Sequence, residues 1–336
     1  MVLMVFVLLG RRMIGRKREH CPKKVCPVLQ LHDQHTMMKI SRHARTIVFS
    51  VGMASLAPLA QAQAWTLNAQ ASATTGSYKD SLLRDKLTES GVTVSGEYLD
   101  KGGLVLGYGT TRVGMKNGAT AIDQNNLLLS GHLNFQPDEA SGRWTARLDN
   151  YRISNNDTTG DTDAVRVVAT QLSWLAKDKS WYADLGLARS RYQNDLTVNQ
   201  FTPTLGFGVN DGADWLQLRA YQIRGLNPVR AAGKTSTSAL EAKWTHYFAP
   251  GAAWMPGFAS LGVMGGERIY AVDMDAQSVA NLADISTGSA TLGLGWTLTK
   301  NSRMFVLLGQ SRFRNVTLAN DYKLNVGYVN LSIDWK

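Results

Sequence analysis

Hydrophobic residues after Ala64 recur at every second position rather than every third or fourth. In Asn126–Gln136 the odd positions are Leu127, Leu129, Gly131, Leu133 and Phe135, and the even ones are Asn126, Leu128, Ser130, His132, Asn134 and Gln136. Trp144, Ala146 and Leu148 alternate with Arg143, Thr145, Arg147 and Asp149. Leu240, Ala242 and Trp244 alternate with Glu241, Lys243 and Thr245, and Val329, Leu331, Ile333 and Trp335 with Asn330, Ser332 and Asp334. Successive side chains of a strand point to opposite faces, so this period predicts strands with one apolar and one polar face. Helical spacing is confined to Lys79–Glu89, the one stretch with room for a short helix. The longest apolar run here, Met304–Leu308, has five residues, far below the roughly 20 a membrane helix needs.

Alternation alone also fits a soluble sandwich, and three further features separate the two. The predicted strands run about 10–14 residues, against roughly five or six in soluble sheets and roughly 9–11 for a tilted strand that crosses a bilayer. The connections alternate between tight and long. The tight ones are Asp100–Gly103, Pro137–Gly142, Lys177–Ser180, Asn210–Asp214, Ala249–Gly257 and Lys300–Ser302. The long ones are Lys79–Ser90, Lys116–Ile122, Asn155–Asp163, Gln193–Thr197, Leu226–Thr235, Val272–Thr287 and Asn315–Asp321. These thirteen connections predict about 14 strands, within a range of 12–16. Finally, all nine Trp (65, 144, 174, 181, 215, 244, 254, 296, 335) fall near a tight turn or a chain end, and Tyr78, Tyr151, Tyr192, Tyr221, Tyr270 and Tyr322 fall toward the opposite ends. Such rings settle where apolar and wet regions meet, so two aromatic girdles are expected.

Charge and composition sharpen the division of the chain. Of its formal charge of +10, residues 1–64 carry ten Lys/Arg against two acids, and the remaining 26 basic and 24 acidic residues leave a net of +2. The basic balance therefore points to no nucleic-acid partner. Lys39, Arg42 and Arg45, the apolar Ile47–Ala57 and the small-x-small Ala62-Gln63-Ala64 have the form of a Sec signal peptide spanning 38–64, cleaved after Ala64. Residues 1–37 are then upstream sequence; the apolar Met1–Gly10 is too short for a membrane anchor. Both cysteines, Cys21 and Cys26, lie in this leader, so residues 65–336 contain no disulfide, thiolate metal site or cysteine nucleophile.

The signal peptide, the long alternating strands of 65–336 and the closing strand Tyr328–Trp335 resemble Gram-negative outer-membrane β-barrel proteins, and the chain length per strand is similar to that of small porins. The closing strand departs from the family pattern in placing Lys336 after the terminal aromatic Trp335. The resemblance implies an all-β fold, a transmembrane antiparallel up-and-down barrel. It also implies a surround of outer-membrane lipid and lipopolysaccharide, recognition by the barrel-assembly machinery, and passive diffusion of small hydrophilic solutes. A non-conducting barrel with a structural, adhesion or polysaccharide-secretion role is the alternative. Oligomeric state has no signature in the sequence.

In such a barrel the polar faces line the lumen. The pore-lining candidates are Glu97, Arg143, Arg147, Asp149, Asp184, Arg219, Glu241, Lys243, Arg312 and Arg314. Two arrangements are open. Bases and acids on opposing walls would create a transverse field, whereas pairing across adjacent strands would rigidify the wall and is the cheaper arrangement. Tyr182, Tyr192, Tyr221 and Tyr247 are candidates for an apolar track. Val272–Thr287 is the longest connection, for which a solvated outer loop is favoured over an inward gate. Asn155–Asp163 is dense in acids but lacks the spacing of a calcium loop, so turn chemistry is the better account and no metal or cofactor is expected. Ser130 and His132 share the two-residue spacing of some outer-membrane lipid hydrolases, but they alternate with leucines on the face away from lipid, and no enzyme activity is expected.

Overall fold

The computed structural model describes residues 64–335, save 138–141, 158–161, 194, 232, 250, 253, 282–283 and 316. The leader, the signal peptide and the cleavage site before Trp65 thus fall outside the described residues, apart from Ala64. The strands are β1 (Trp65–Lys79), β2 (Arg84–Tyr98), β3 (Gly102–Met115), β4 (Ile122–Phe135), β5 (Arg143–Asn155), β6 (Val165–Leu175), β7 (Trp181–Arg191) and β8 (Thr197–Val209). They continue as β9 (Asp214–Arg224), β10 (Ser236–Tyr247), β11 (Phe258–Arg268), β12 (Val272–Asp273), β13 (Ser278–Val279), β14 (Ile285–Thr299), β15 (Ser302–Asn315) and β16 (Asn320–Trp335). Fourteen of them form a closed antiparallel barrel, each strand pairing with its sequence neighbours and β1 closing on β16, while β12 and β13 form a separate two-stranded sheet. The closing seam runs from Leu67 opposite Trp335 to Lys79 opposite Lys323.

The alternation drives this closure. Leu104, Leu106, Leu129, Leu148, Leu185 and Leu240 are all exposed and stand on the outer wall, as the faces of their strands require. A closed barrel pairs every strand edge, so an apolar exterior can meet lipid without leaving backbone polar groups unpaired. Trp65, Trp181 and Trp244 are exposed at the rim of the tight turns, and this rim carries the expected tryptophan girdle. We call it the turn rim and its opposite the loop rim.

Two sequence readings fail. Lys79–Glu89 is not helical: β1 runs to Lys79 and β2 resumes at Arg84, because Leu87 fits the inner wall and is fully buried there. The tyrosine girdle is also absent. Tyr78, Tyr151, Tyr221 and Tyr322 point inward and are buried; Tyr78 and Tyr322 pack with Leu87, Val113, Ile122 and Phe313, Tyr151 with Val167, Val198 and Ile223, and Tyr221 with Ala239 and Met264. A phenol can anchor at a bilayer interface or pack in a core, and here the parity of each strand turns it into the lumen.

Candidate functional site

The connection between β11 and β14 folds into the barrel, against the expectation of a solvated outer loop. Its entry is bent at Tyr270, whose φ of 54° is left-handed, a conformation that costs a non-glycine residue about 1–2 kcal/mol. The Tyr270 ring packs on Tyr192, with centroids 4.7 Å apart. Val272, Met274 and Val279 then join a buried apolar cluster with wall residues of β4 to β9, including Tyr151, Val167, Ala188, Val198 and Ile223. Burying each such side chain stabilises the docked hairpin by roughly 1.5–3 kcal/mol. Met274 takes the space a Cβ at Gly186 on β7 would fill, its Cε only 2.0 Å from that point.

Polar contacts fix the hairpin's position. The Gln200 amide on β8 accepts from Val272 N at 2.9 Å and donates to Val272 O at 2.6 Å. Arg219 on β9 pairs with Asp275 and lies 3.5 Å from Asp273. Burial alone would raise the Asp275 carboxyl, but the Arg219 charge and hydrogen bond, helped by Gln217, hold it below the usual carboxylate value. Farther along, Asn281 donates to Thr162 O at 2.6 Å and to Gln124 at 3.2 Å. Asp284 accepts from Tyr322 at 2.5 Å and Asn315 at 2.8 Å, and pairs with the buried Arg84. The connection thus spans the lumen from β8 and β9 to β2 and β16.

Beneath the hairpin tip a cavity of about 270 Å³ remains. Asp275 to Val279 bound it on one side, and Gln70, Ser72, Glu89, Asn126, Tyr328 and Asn330 on the other. Its floor at Gly91, Gly107 and Gly109 carries no side chains. Toward the turn rim, inward rings form an arc across neighbouring strands. Tyr247 lies 6.2 Å from Phe258, Phe258 stacks on Phe305 at 5.8 Å and 18°, and Phe305 meets Tyr328 at 6.3 Å. Phe258 and Phe305 can meet over β14 because Gly293 and Gly295 stand between them; a Cβ at Gly295 would sit 2.1 Å from Phe258 Cε1.

The structure sorts the sequence-derived candidates. Arg147 and Asp149 form a two-point pair on the inner face of β5, both bonds 2.8 Å. Glu241 accepts from Tyr221 at 2.9 Å and stands 3.8 Å from Arg268. Glu97 meets His132 at 3.1 Å. Asp184 is buried on the inner wall, Lys243 faces inward opposite Gln217, and Arg143 is exposed at the turn-rim end of β5. Of these contacts only that of Glu241 joins adjacent strands; Arg147 and Asp149 pair along one strand, Glu97 reaches His132 across β3, and Arg219 pairs with the hairpin. Arg312 and Arg314 are not pore-lining. They share the outward parity of Leu308, and Arg314 bonds Asp321 at 2.9 Å on the exposed side of the loop rim. The tyrosine track does not form either, since Tyr192 and Tyr221 are buried beside the hairpin and only Tyr247 joins the arc.

Ser130 and His132 both face the lumen; Ser130 Oγ has no hydrogen-bond partner and His132 is engaged by Glu97. In Asn155–Asp163, Asp163 accepts from Asn155 N at 2.8 Å and Asp157 from Thr162 at 2.9 Å, which is turn chemistry. Glu89 was missed by sequence reasoning because it was assigned to a connection. Its parity with Gly91 and Thr93 on the polar face of β2 was the available signal.

No family model matches the chain, and no curated protein does. Among solved structures, the monoaromatic hydrocarbon channel CymD aligns with a TM-score of 0.50 at 10% identity, over 84% of this chain and 91% of that one. A bacterial polysaccharide outer-membrane secretin aligns with a TM-score of 0.48 at 10% identity, over 80% and 98%. OccK7 (OpdD) of Pseudomonas aeruginosa aligns with a TM-score of 0.41 at 12% identity, over 81% and 98%. At such identities the likeness shows the fold alone: this chain is a β-barrel of the outer-membrane type.

Proposed function

We propose that the chain is an outer-membrane channel for passive diffusion of small hydrophilic solutes, narrowed by its inward hairpin. One observation carries this reading. The hairpin is a separate two-stranded sheet that shares no ladder with the wall, so it can leave the lumen by parting side-chain contacts such as those of Gln200 and Arg219 while the barrel's backbone ladder stays whole. The polar cavity below it and the paired charges around it suit hydrated solutes. On the same reading the tryptophan rim faces the periplasm, lipid and lipopolysaccharide surround the wall, and the closing strand is the segment that the barrel-assembly machinery recognises.

The apolar filling of the loop rim supports a second reading, a permanently closed barrel with a structural, adhesion or polysaccharide-export role. Planar bilayer recordings separate the two. The wild-type chain should give discrete ohmic steps, and a chain with residues 272–280 replaced by a Gly-Ser linker should give larger and more persistent ones. Silence from both would overturn the channel reading.

A further inference from the structure

The cavity under the hairpin tip has an unbalanced charge. Its lining includes two carboxylates, Glu89 and Asp275, and no lysine or arginine. Asp275 is satisfied by Arg219. Glu89 is only half satisfied: it is 8% exposed, Thr74 hydrogen-bonds its carboxyl, and its Oε2 has no hydrogen-bond partner. Its cross-strand neighbours, Thr74 on β1 and Thr111 on β3, are neutral. A buried carboxyl without a counter-charge is neutralised either by holding its own proton or by a cationic group that reaches it.

We propose that this cavity binds a small solute carrying an ammonium group, with Glu89 as its counter-charge. The volume of about 270 Å³ is far more than a bare ion fills, and a single free carboxylate falls short of the six or more oxygens that a calcium ion gathers. An anionic solute would meet two like charges, and a neutral one would leave Glu89 uncompensated. The side chains of Gln70, Ser72, Asn126 and Asn330 offer hydrogen bonds to the rest of the solute, and Gly91 and Gly107 leave room for it. The Tyr328 ring adds an aromatic face, which attracts cations. The proposal depends on the channel reading only for the solute's route in and out.

The test is equilibrium dialysis of the whole protein in detergent at about pH 9, where a buried carboxyl can ionise and an alkylammonium keeps its proton, with n-butylammonium, n-butanol and butyrate as probes of similar size and different charge. Butylammonium should be retained well above the other two. Glu89→Gln should weaken that retention about tenfold, the loss expected for one charge-assisted contact, and Glu89→Asp should restore most of it. Equal retention of the three probes, or retention unchanged in Glu89→Gln, would overturn the site; the three-probe comparison on the wild-type chain decides even where the variant does not fold. Bilayer silence with charge-selective retention would sink the channel and leave the site standing. Ohmic conductance with charge-blind retention would do the reverse.

Discussion

Gln200 and Val272 exchange two hydrogen bonds, side-chain amide to peptide, at 2.9 and 2.6 Å. The glutamine thereby imitates the edge of a strand and gives the hairpin a ladder rung where the wall offers none. Gln200→Leu removes both bonds and leaves a buried peptide unsatisfied, at about 1–3 kcal/mol. The hairpin should then spend more time out of the lumen, read as a higher open fraction in single-channel records. An unchanged open fraction would show that apolar packing alone seats it.

Arg219→Ala should act in the same direction. Breaking a fully buried ion pair costs about 3–5 kcal/mol, but the Asp275 side chain is 44% exposed, so about 1–2 kcal/mol is the better expectation after solvent screening. Limited proteolysis within 272–280 should speed up relative to the wild type while the barrel itself stays intact.

Acid should not open the hairpin until conditions are severe. The Asp275 carboxyl lies below its ordinary value because Arg219 outweighs the effect of burial. A depressed carboxyl contributes stability that is complete above its unfolded value and is lost as pH falls through the folded one. Conductance attributable to this pair should therefore be flat from about pH 7 to about pH 5 and change only below the usual carboxylate range. Asp275→Asn should abolish that acid-dependent component, and a transition near neutrality would assign the response to another group.

Gly295→Val should disrupt the aromatic arc, because its Cβ would lie 2.1 Å from Phe258. Overpacking of this kind costs about 1–3 kcal/mol, and the folded, heat-modifiable band on gels should melt at lower temperature. Gly265→Ala, with nothing within 4 Å of the added carbon, is the control that should leave the melting point in place.

Charge reversal separates lumen from exterior. Arg147→Glu sets two carboxylates side by side with Asp149, so reversal potentials should shift toward cations. Arg312→Glu, on the outer face, should leave them unchanged. A shift in the second variant would contradict the parity of β15.

Strand number, the tryptophan rim and the direction of most side chains were legible because a bilayer and a wet lumen impose opposite demands on alternate residues. Leu127, Leu129 and Leu133 could only face lipid once His132 and Asn134 faced water. That logic weakens where both faces are apolar. In β15, Phe305 and Leu307 point inward beside the outward Val306 and Leu308, so alternation vanishes and Arg312 and Arg314 were placed on the wrong side. The hairpin was hidden for a different reason: Val272, Met274 and Val279 form no periodic run, and the wall that receives them is assembled from β4 to β9, distant in the chain. Glu89 was lost because the polar start of β2 imitates a helical connection.

The seam between β1 and β16 has a consequence for the gene as much as for the fold. β1 begins and β16 ends at the turn rim, and the two pair from Leu67 opposite Trp335 to Lys79 opposite Lys323. A short tether from Trp335 back to Trp65, with new ends cut at the Lys300–Asn301 turn, would preserve every neighbour relationship in the cylinder. Such a circularly permuted chain should reach the same shape, since the barrel specifies who stands beside whom and leaves open which strand is written first.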